Sequence, residues 1–366
     1  MHIMKSVSLN DFINRLHIMK KNTVTMNDVA EKTGVSKTTI SRIINQIPNA
    51  ASKDTTEKVL KVIDELGYYP NQVAASLKRT TTRTIGLVMG DIENPFYGLV
   101  IKGVEEVVRS SGYSLILANS NYDMAAEIEL CMLMLSKQVD AILVAPSGSS
   151  SCNQYAAVFE RQTHLVFMDN YIPGCNVDAV MVNNFKASKE ACNHLISLGH
   201  REISFIAGTP KKISSDDRTR GFLSALNEKY GSSITPVVKN GDYTVAGGYY
   251  CMKQLLEMPE IPTAVFIANN LMTVGALGAI KDAGLRIPGD ISVLGFDDMN
   301  WYSINQPSLT AIDQPAFEIG KTAARRVVMR LSHKKQPAPE IIQLDARLIV
   351  RDSTAPPRTH RITPKS

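Results

Sequence analysis

From about Thr84 onward the chain repeats one pattern, a short apolar run followed by an amphipathic stretch of ten or more residues. The apolar runs include Ile85–Met89, Leu115–Ala118, Ala141–Ala145, Leu165–Met168, Ile203–Ala207, Val265–Ala268 and Ile291–Phe296. Strands that alternate with helices pair in parallel, because each return crossing is made by a helix lying on the sheet. The pattern predicts an α/β class with a doubly wound parallel sheet over residues 84–355. Residues 23–70 carry only short helical periods and turns, so a separate small all-α unit is expected there.

A length of 366 residues suits two or three such units. Hydrophobic residues make up 44% and charged residues 20%, enough to build a substantial core. The chain has no run of about 18 apolar residues and no apolar segment ending in a small-residue cleavage site, so neither a membrane span nor export is expected, and a cytoplasmic location is. The five cysteines, Cys131, Cys152, Cys175, Cys192 and Cys251, are odd in number and widely spaced, and are expected as free thiols in a reducing compartment. A net charge of +5 permits a nucleic-acid partner without requiring one. No leucine heptad suggests a coiled coil. The first strand is not followed by G-x-G-x-x-G, no Walker loop or G-x-S-x-G elbow occurs, and the seven histidines lack metal-ligand spacing. Catalysis, cofactors and metals are therefore not expected.

Thr25-Met-Asn-Asp28 has the form of a capping box that opens a helix with Met26, Val29, Ala30 and Thr33 on one face. Gly34 stops that helix and Ser36 caps the next. In the second helix Val35, Ile40, Ile43 and Ile44 turn inward, leaving Lys37, Thr38, Ser41, Arg42 and Asn45 outward. Hydroxyls, an amide and cations are what a major-groove reader uses. A third helix, capped by Ser52, runs to about Leu66 with Val59, Val62, Ile63 and Leu66 inward. A small bundle with a solvated polar face would share the period. The cap, the turn and the polar-basic second helix coinciding within twenty residues favour a helix-turn-helix that binds DNA.

These segments resemble the LacI family of bacterial repressors. Thr25 to Ser36 matches the family's opening, Thr39-Ile-Ser-Arg-Ile-Ile-Asn45 its recognition helix, and Glu57-Lys-Val through Gly67-Tyr-Tyr-Pro-Asn71 the third helix and its exit; the similarity runs from Val24 to about Asp352. The resemblance implies double-stranded, pseudo-palindromic operator DNA as a partner and a homodimer to match it. It also implies base-reading by Lys37, Thr38, Ser41 and Arg42, within a DNA-binding set completed by Thr25, Ser36, Asn45, Asn71, Ala74 and Leu77. Residues 71–83 become the hinge, with Leu77 the wedge that kinks the minor groove. Residues 1–22 precede the family's usual start and are expected to be a disordered extension, as is the tail 356–366. Ile47-Pro-Asn-Ala-Ala51 is about one residue longer than the family pattern.

Open α/β sheets bind ligands beyond the carboxyl ends of their strands. Asp91 and Asn94-Pro-Phe-Tyr97, Ser147, Asp169, Asn269 and Asp297 stand at such ends here. One such residue is more often a cap than a ligand contact, but several together favour a crevice. The resemblance extends through this region as a periplasmic-binding-protein-like domain that binds a small-molecule effector and splits near Asn183–Asn184, with later strands returning between the halves. It implies an effector site made of Phe96, Tyr97, Ser147, Asp169, Arg218, Tyr243, Asn269, Asp297, Trp301 and Gln314. Asn270 replaces the family's more usual aspartate. This kit suits a carbohydrate effector, a sugar or sugar acid, with a purine as the alternative. Lys211 and Lys212 read equally as an anion clamp or a solvated loop tip.

Overall fold

The computed structural model describes residues 24–44, 47–68, 81–148, 151–333 and 336–359. Asn45, Asn71, Ala74, Leu77 and the extension 1–22 lie outside the described residues. The chain divides into two compact units between Thr82 and Arg83.

The first unit holds α1 (Met26–Thr33), α2 (Lys37–Ile44) and α3 (Lys53–Leu66). The capping box forms: the Asp28 carboxylate accepts the Thr25 backbone amide at 2.6 Å, and the Thr25 hydroxyl accepts the Asn27 amide at 3.2 Å. Gly34, at φ 70°, ends α1 in the left-handed region that glycine enters without a Cβ clash. Val29, Ile40, Ile43, Val59, Val62 and Tyr68 form the buried core. The longer loop after α2 is taken up in a tight turn, in which Asn49 adopts φ 56° and the Ala50 amide bonds the Ile47 carbonyl at 3.2 Å.

The second unit contains two six-stranded sheets. In chain order, its first half is built from β1 (Thr84–Met89), α4 (Pro95–Ser110), β2 (Ser114–Asn119), α5 (Met124–Ser136), β3 (Ala141–Val144), α6 (Ala156–Glu160), β4 (His164–Met168) and β5 (Asp178–Val182). The second half follows with α7 (Asn184–Ser197), β6 (Ile203–Ala207), α8 (Ile213–Tyr230), β7 (Val237–Asn240), α9 (Val245–Leu256), β8 (Ala264–Ile267), α10 (Asn270–Asp282), β9 (Ser292–Phe296) and β10 (Thr310–Asp313). The chain then recrosses: α11 (Ala316–Ser332) packs on α4, β11 (Ile341–Leu344) joins the first sheet, and β12 (Arg347–Ile349) closes the second. Strand orders are β11-β5-β4-β3-β1-β2 and β12-β10-β9-β8-β6-β7, parallel throughout except where β12 meets β10.

Central strands are apolar along their length because helices cover both faces; β3, β5, β6 and β8 are buried at every residue. On one face α4 and α11 lie so close that a Cβ on Gly103 would sit 2.1 Å from the Phe317 carbonyl oxygen. Glycine is what permits that approach.

The structure departs from expectation at the tail and at the cysteines. The tail from 356 is not free as far as residue 359, since Arg358 donates to the carbonyls of Ile261 (2.6 Å), Pro262 (3.1 Å) and Asp290 (2.5 Å). Its two terminal nitrogens reach backbone acceptors just before the central strands β8 and β9, which a composition-based reading cannot anticipate. Nor are all five cysteines free. Cys152 and Cys175, with Cα atoms 5.3 Å apart, form a disulfide, while Cys131, Cys192 and Cys251 are buried thiols. The pair is 23 residues apart in sequence, and the loops leaving adjacent strands bring it together. Among the described residues no helix is long and apolar enough to cross a membrane.

Candidate functional site

Two sites emerge, one in each unit. In the first unit α2 buries Ile40 and Ile43 and turns Lys37, Thr38 and Arg42 to solvent, with Ser41 half-buried beside them. Thr25 and Ser36 are exposed, and both hydroxyls act as helix caps; Ser36 accepts the Thr39 amide at 3.2 Å. The capping bonds from Thr25, backbone first and then hydroxyl, hold the Asp28 carboxyl below its usual range.

In the second unit a polar cleft lies between the two sheets, beyond their carboxyl ends. One wall carries Asn94, Phe96 and Tyr97 after β1, Tyr122 after β2 and Asp169 after β4. The other carries Lys212, Ser214 and Arg218 at the start of α8, Tyr243 after β7, Asn269 after β8, Asp297 after β9 and Gln314 after β10. Asp169, Tyr243 and Asp297 have φ values of 64°, 66° and 71°. Non-glycine residues held there are uncommon, and such strain concentrates at functional sites.

The charges are matched and largely dry. Arg218 is 4% exposed; its Nε donates to Asn184 at 2.8 Å, its Nη1 to the Ala268 carbonyl at 2.5 Å, and its guanidinium lies 3.6 Å from the Phe296 ring centre. Asp297 accepts the Asn270 backbone amide at 3.2 Å and the Gln314 side-chain amide. Burial pushes its carboxyl upward, opposed by Arg218 and these two amides. Burial and the Asp169 charge push the Tyr97 hydroxyl well above its ordinary range, so it stays protonated and donates to Asp169 at 3.0 Å. Lys212 is 5% exposed, with Nζ 3.8 Å from the Asp169 carboxylate and over the Tyr122 and Tyr243 rings at 5.1 and 5.2 Å. That separation is within cation–π range.

Direct bonds also bridge the walls. Asn270 donates its side-chain amide to Asn94 at 2.9 Å, which an ionised aspartate could not do, and the Ser214 amide donates to Asn170 at 3.3 Å. The free space between these side chains is about 30 Å³, room for one or two water molecules. A ring-sized ligand therefore requires the walls to part or the Lys212 and Tyr122 side chains to swing aside.

Of the residues expected at this site, Phe96, Tyr97, Asp169, Arg218, Tyr243, Asn269, Asp297 and Gln314 line the cleft. Ser147 does not; its amide is turned to the Glu127 carboxylate at 2.7 Å. Trp301 does not either. It packs edge-on against Tyr302, 4.4 Å between ring centres, over a separate cluster of Met299, Leu309 and Ala311, because the turn Asn300–Tyr302 carries it away from the strand end. Sequence reasoning passed over Tyr122 and Ser214. Asn94 reads from sequence as a turn residue, and of the two readings of Lys212, anion clamp or solvated loop tip, burial excludes the loop tip. No sequence signal singled out Tyr122; in the structure its ring lies so close to Gly90 that a Cβ there would meet it at 2.2 Å.

Comparison with known proteins agrees with both halves. Residues 25–71 match the family described as bacterial regulatory proteins, lacI family, and residues 192–354 match a periplasmic binding protein-like domain. The chain is 35% identical over 331 residues to the HTH-type transcriptional repressor PurR of Haemophilus influenzae (strain PittEE), covering 90% of this chain and 98% of that one. Among solved structures it resembles the lac repressor dimer bound to operator and the anti-inducer ONPF, with a TM-score of 0.82, 26% identity and coverage of 91% and 100%. It also resembles a complex of the transcriptional regulator CelR with cellobiose, with a TM-score of 0.68, 29% identity and coverage of 90% and 100%.

Proposed function

This chain belongs to the lacI family of bacterial regulatory proteins and is a DNA-binding transcriptional repressor, and we propose that a carbohydrate, a sugar or sugar acid, bound in the cleft of its second unit sets its hold on operator DNA. One observation carries this reading: two carboxylates, a guanidinium, an ammonium and several amides converge with tyrosine rings between two separately folded sheets. A hydroxyl is both donor and acceptor, so a polyol can answer Asp169, Asn269, Asp297 and Arg218 together while a ring face rests on an aromatic side chain. Lys212 supports an acid group on the sugar. A purine is the second reading, favoured by the Tyr97, Tyr122 and Tyr243 rings around one narrow space.

In this proposal ligand binding alters the closure of the two halves, and the change reaches the DNA-binding unit through the hinge 71–83, where Leu77 wedges the duplex. Two copies form a homodimer that reads a pseudo-palindrome with Ser36, Lys37, Thr38, Ser41 and Arg42 of each. Melting the full-length protein with D-ribose, cellobiose, gluconate, hypoxanthine and guanine tests the ligand class. Stabilisation by a sugar or sugar acid supports the first reading, stabilisation by the bases alone transfers it to the second, and no response from any contradicts both.

The DNA side has its own test. Arg42→Ala should weaken binding to the specific site by roughly 1–3 kcal/mol, base-dependently, if the guanidinium reads a guanine edge. Competition mobility shifts against single-base site variants measure this. Equal loss on every sequence would move Arg42 to the phosphates, and no loss would remove α2 from the interface.

A further inference from the structure

The disulfide joins the segments that follow two neighbouring strands of the first sheet, one of which carries a cleft residue. Cys152 lies on the loop that leaves β3 and Cys175 on the loop that leaves β4. The β4 loop carries Asp169, which lines the cleft, and Asn170, which bridges to the far wall. Cys152 opens the helical turn Cys152–Tyr155, and the buried Tyr155 hydroxyl donates to the Glu127 carboxylate. The other oxygen of Glu127 accepts the Ser147 amide at 2.7 Å. Next in the chain, the Pro146 carbonyl accepts the Asn170 side chain at 3.4 Å, and Asn170 in turn accepts the Ser214 amide of the opposite wall at 3.3 Å. A continuous series of bonds thus runs from the Cys152 turn to the far wall, and the disulfide ties its first loop directly to the loop of Asn170.

Accessibility separates this pair from the other cysteines. Cys152 and Cys175 are half-exposed, whereas Cys131, Cys192 and Cys251 are buried. Burial pushes the Cys131 and Cys192 thiols up to about 12, and a protonated thiol neither attacks a disulfide nor is readily oxidised. A repressor meets its operator in the compartment of the chromosome, where thiols are held reduced, and disulfides found there are usually transient and redox-sensing.

We propose that Cys152 and Cys175 form a reversible redox latch that fixes the β3 and β4 loops of the cleft when oxidised and frees them when reduced. The oxidant is a small-molecule disulfide. One cysteine thiolate attacks it, forming a mixed disulfide and releasing one thiolate; the second cysteine then attacks the mixed disulfide at the protein sulfur and releases the other. Two protein thiols lose two electrons and two protons, and the small disulfide becomes two thiols. Any effect on ligand binding rests on the reading of the cleft proposed above, but the latch is tested on the loops themselves, so either can fail alone.

The full-length protein would be equilibrated in glutathione buffers from fully reduced to fully oxidised and its free thiols trapped by alkylation. Peptide mass spectrometry should find Cys152 and Cys175 linked to each other at the oxidised end and both alkylated at the reduced end, with the other three thiols free throughout. Hydrogen exchange on the same samples should show the Ser147 and Ser214 amides exchanging several-fold faster after reduction, while the strand amides of Phe205 and Ile206 do not change. Cys152→Ser and Cys175→Ser should exchange like the reduced wild type in every buffer; if a variant does not fold, reduced wild type supplies the same readout. A pair that stays reduced at every glutathione ratio, or a bond whose formation leaves Ser147 and Ser214 unchanged, overturns the proposal.

Discussion

Replacing Arg218 with alanine is expected to lower the stability of the second unit by about 3–5 kcal/mol and to abolish its response to ligand. Asp297, on the same wall, is 4% exposed, and Arg218 is the first of the groups that oppose the effect of burial on it. Truncation leaves that carboxylate without its cation, and leaves the Asn184 side-chain oxygen and the Ala268 carbonyl without their donor. An orphaned buried acceptor carries its own desolvation cost. Strand ends and residue types alone left two roles open for this pair, contacting ligand or bracing the cleft edge. The geometry gives Arg218 the bracing bonds outright, so a loss of stability is expected whether or not it also touches ligand. Melting without DNA, with and without the stabilising compound, separates the roles. A variant that melts early but still gains stability from ligand would leave Arg218 a brace only. One that melts like wild type would refute the bracing account.

Asp178→Ala should cost a similar amount, about 3–5 kcal/mol, with almost no effect on ligand binding. Asp178 opens β5, at the opposite end of the sheet from the cleft, and its side chain is fully buried. It meets Arg326 and Arg330 of α11 at 2.6 Å each and accepts the Glu340 amide at 2.9 Å. It therefore fastens the returning segment that carries α11 and β11 back to the first sheet. Removal takes the buried carboxylate from both guanidiniums, leaving Arg326 only Glu340 at 3.1 Å and the 9% exposed Arg330 only neutral oxygens of the segment 336–338.

The pH dependence of that joint has a definite sign. Burial pushes the Asp178 carboxyl up, but the two arginines and the Glu340 amide outweigh it and hold it below its ordinary value of 3.8. A carboxyl depressed in the folded state contributes stability above its unfolded pKa, about 3.9, and loses it as pH falls through the folded value. Urea unfolding should thus show a wide gap between wild type and Asp178→Ala at pH 7, narrowing below about pH 4. A gap unchanged in acid would mean that the carboxylate's charge is not what holds the joint.

Much of the fold was legible because period and punctuation coincide. Thr25, Asp28 and Gly34 bound a helix by local bonds that need no tertiary context. The run Ile203–Ala207 is apolar because both its faces are covered. Strands that owe their pairing to neighbours were harder to see. Val237–Asn240 is a half-buried edge with two apolar residues, and Ile341–Leu344 alternates exposed and half-buried residues at the other sheet's edge. The cleft was readable at the strand ends, where Asp169, Asn269 and Asp297 stand, because topology alone directs those positions to one side. Lys212 was not, since a lysine between Pro210 and Ile213 resembles a loop tip until Asp169, Tyr122 and Tyr243 close around it. Trp301 misled for the converse reason. An aromatic residue type fits a ring-stacking role, but says nothing about which way a helical turn carries the ring.

The central claim is that occupancy of the cleft sets the grip on DNA. It is tested most directly by fluorescence anisotropy of the full-length protein on a labelled fragment of upstream genomic DNA that it binds specifically. The titrant is the sugar, sugar acid or purine that raises the melting temperature most. The account predicts that saturating compound changes the Kd for the fragment about 5–150-fold, in keeping with a coupling of 1–3 kcal/mol. A compound that stabilises the protein through the cleft yet leaves the Kd for DNA unchanged would contradict it.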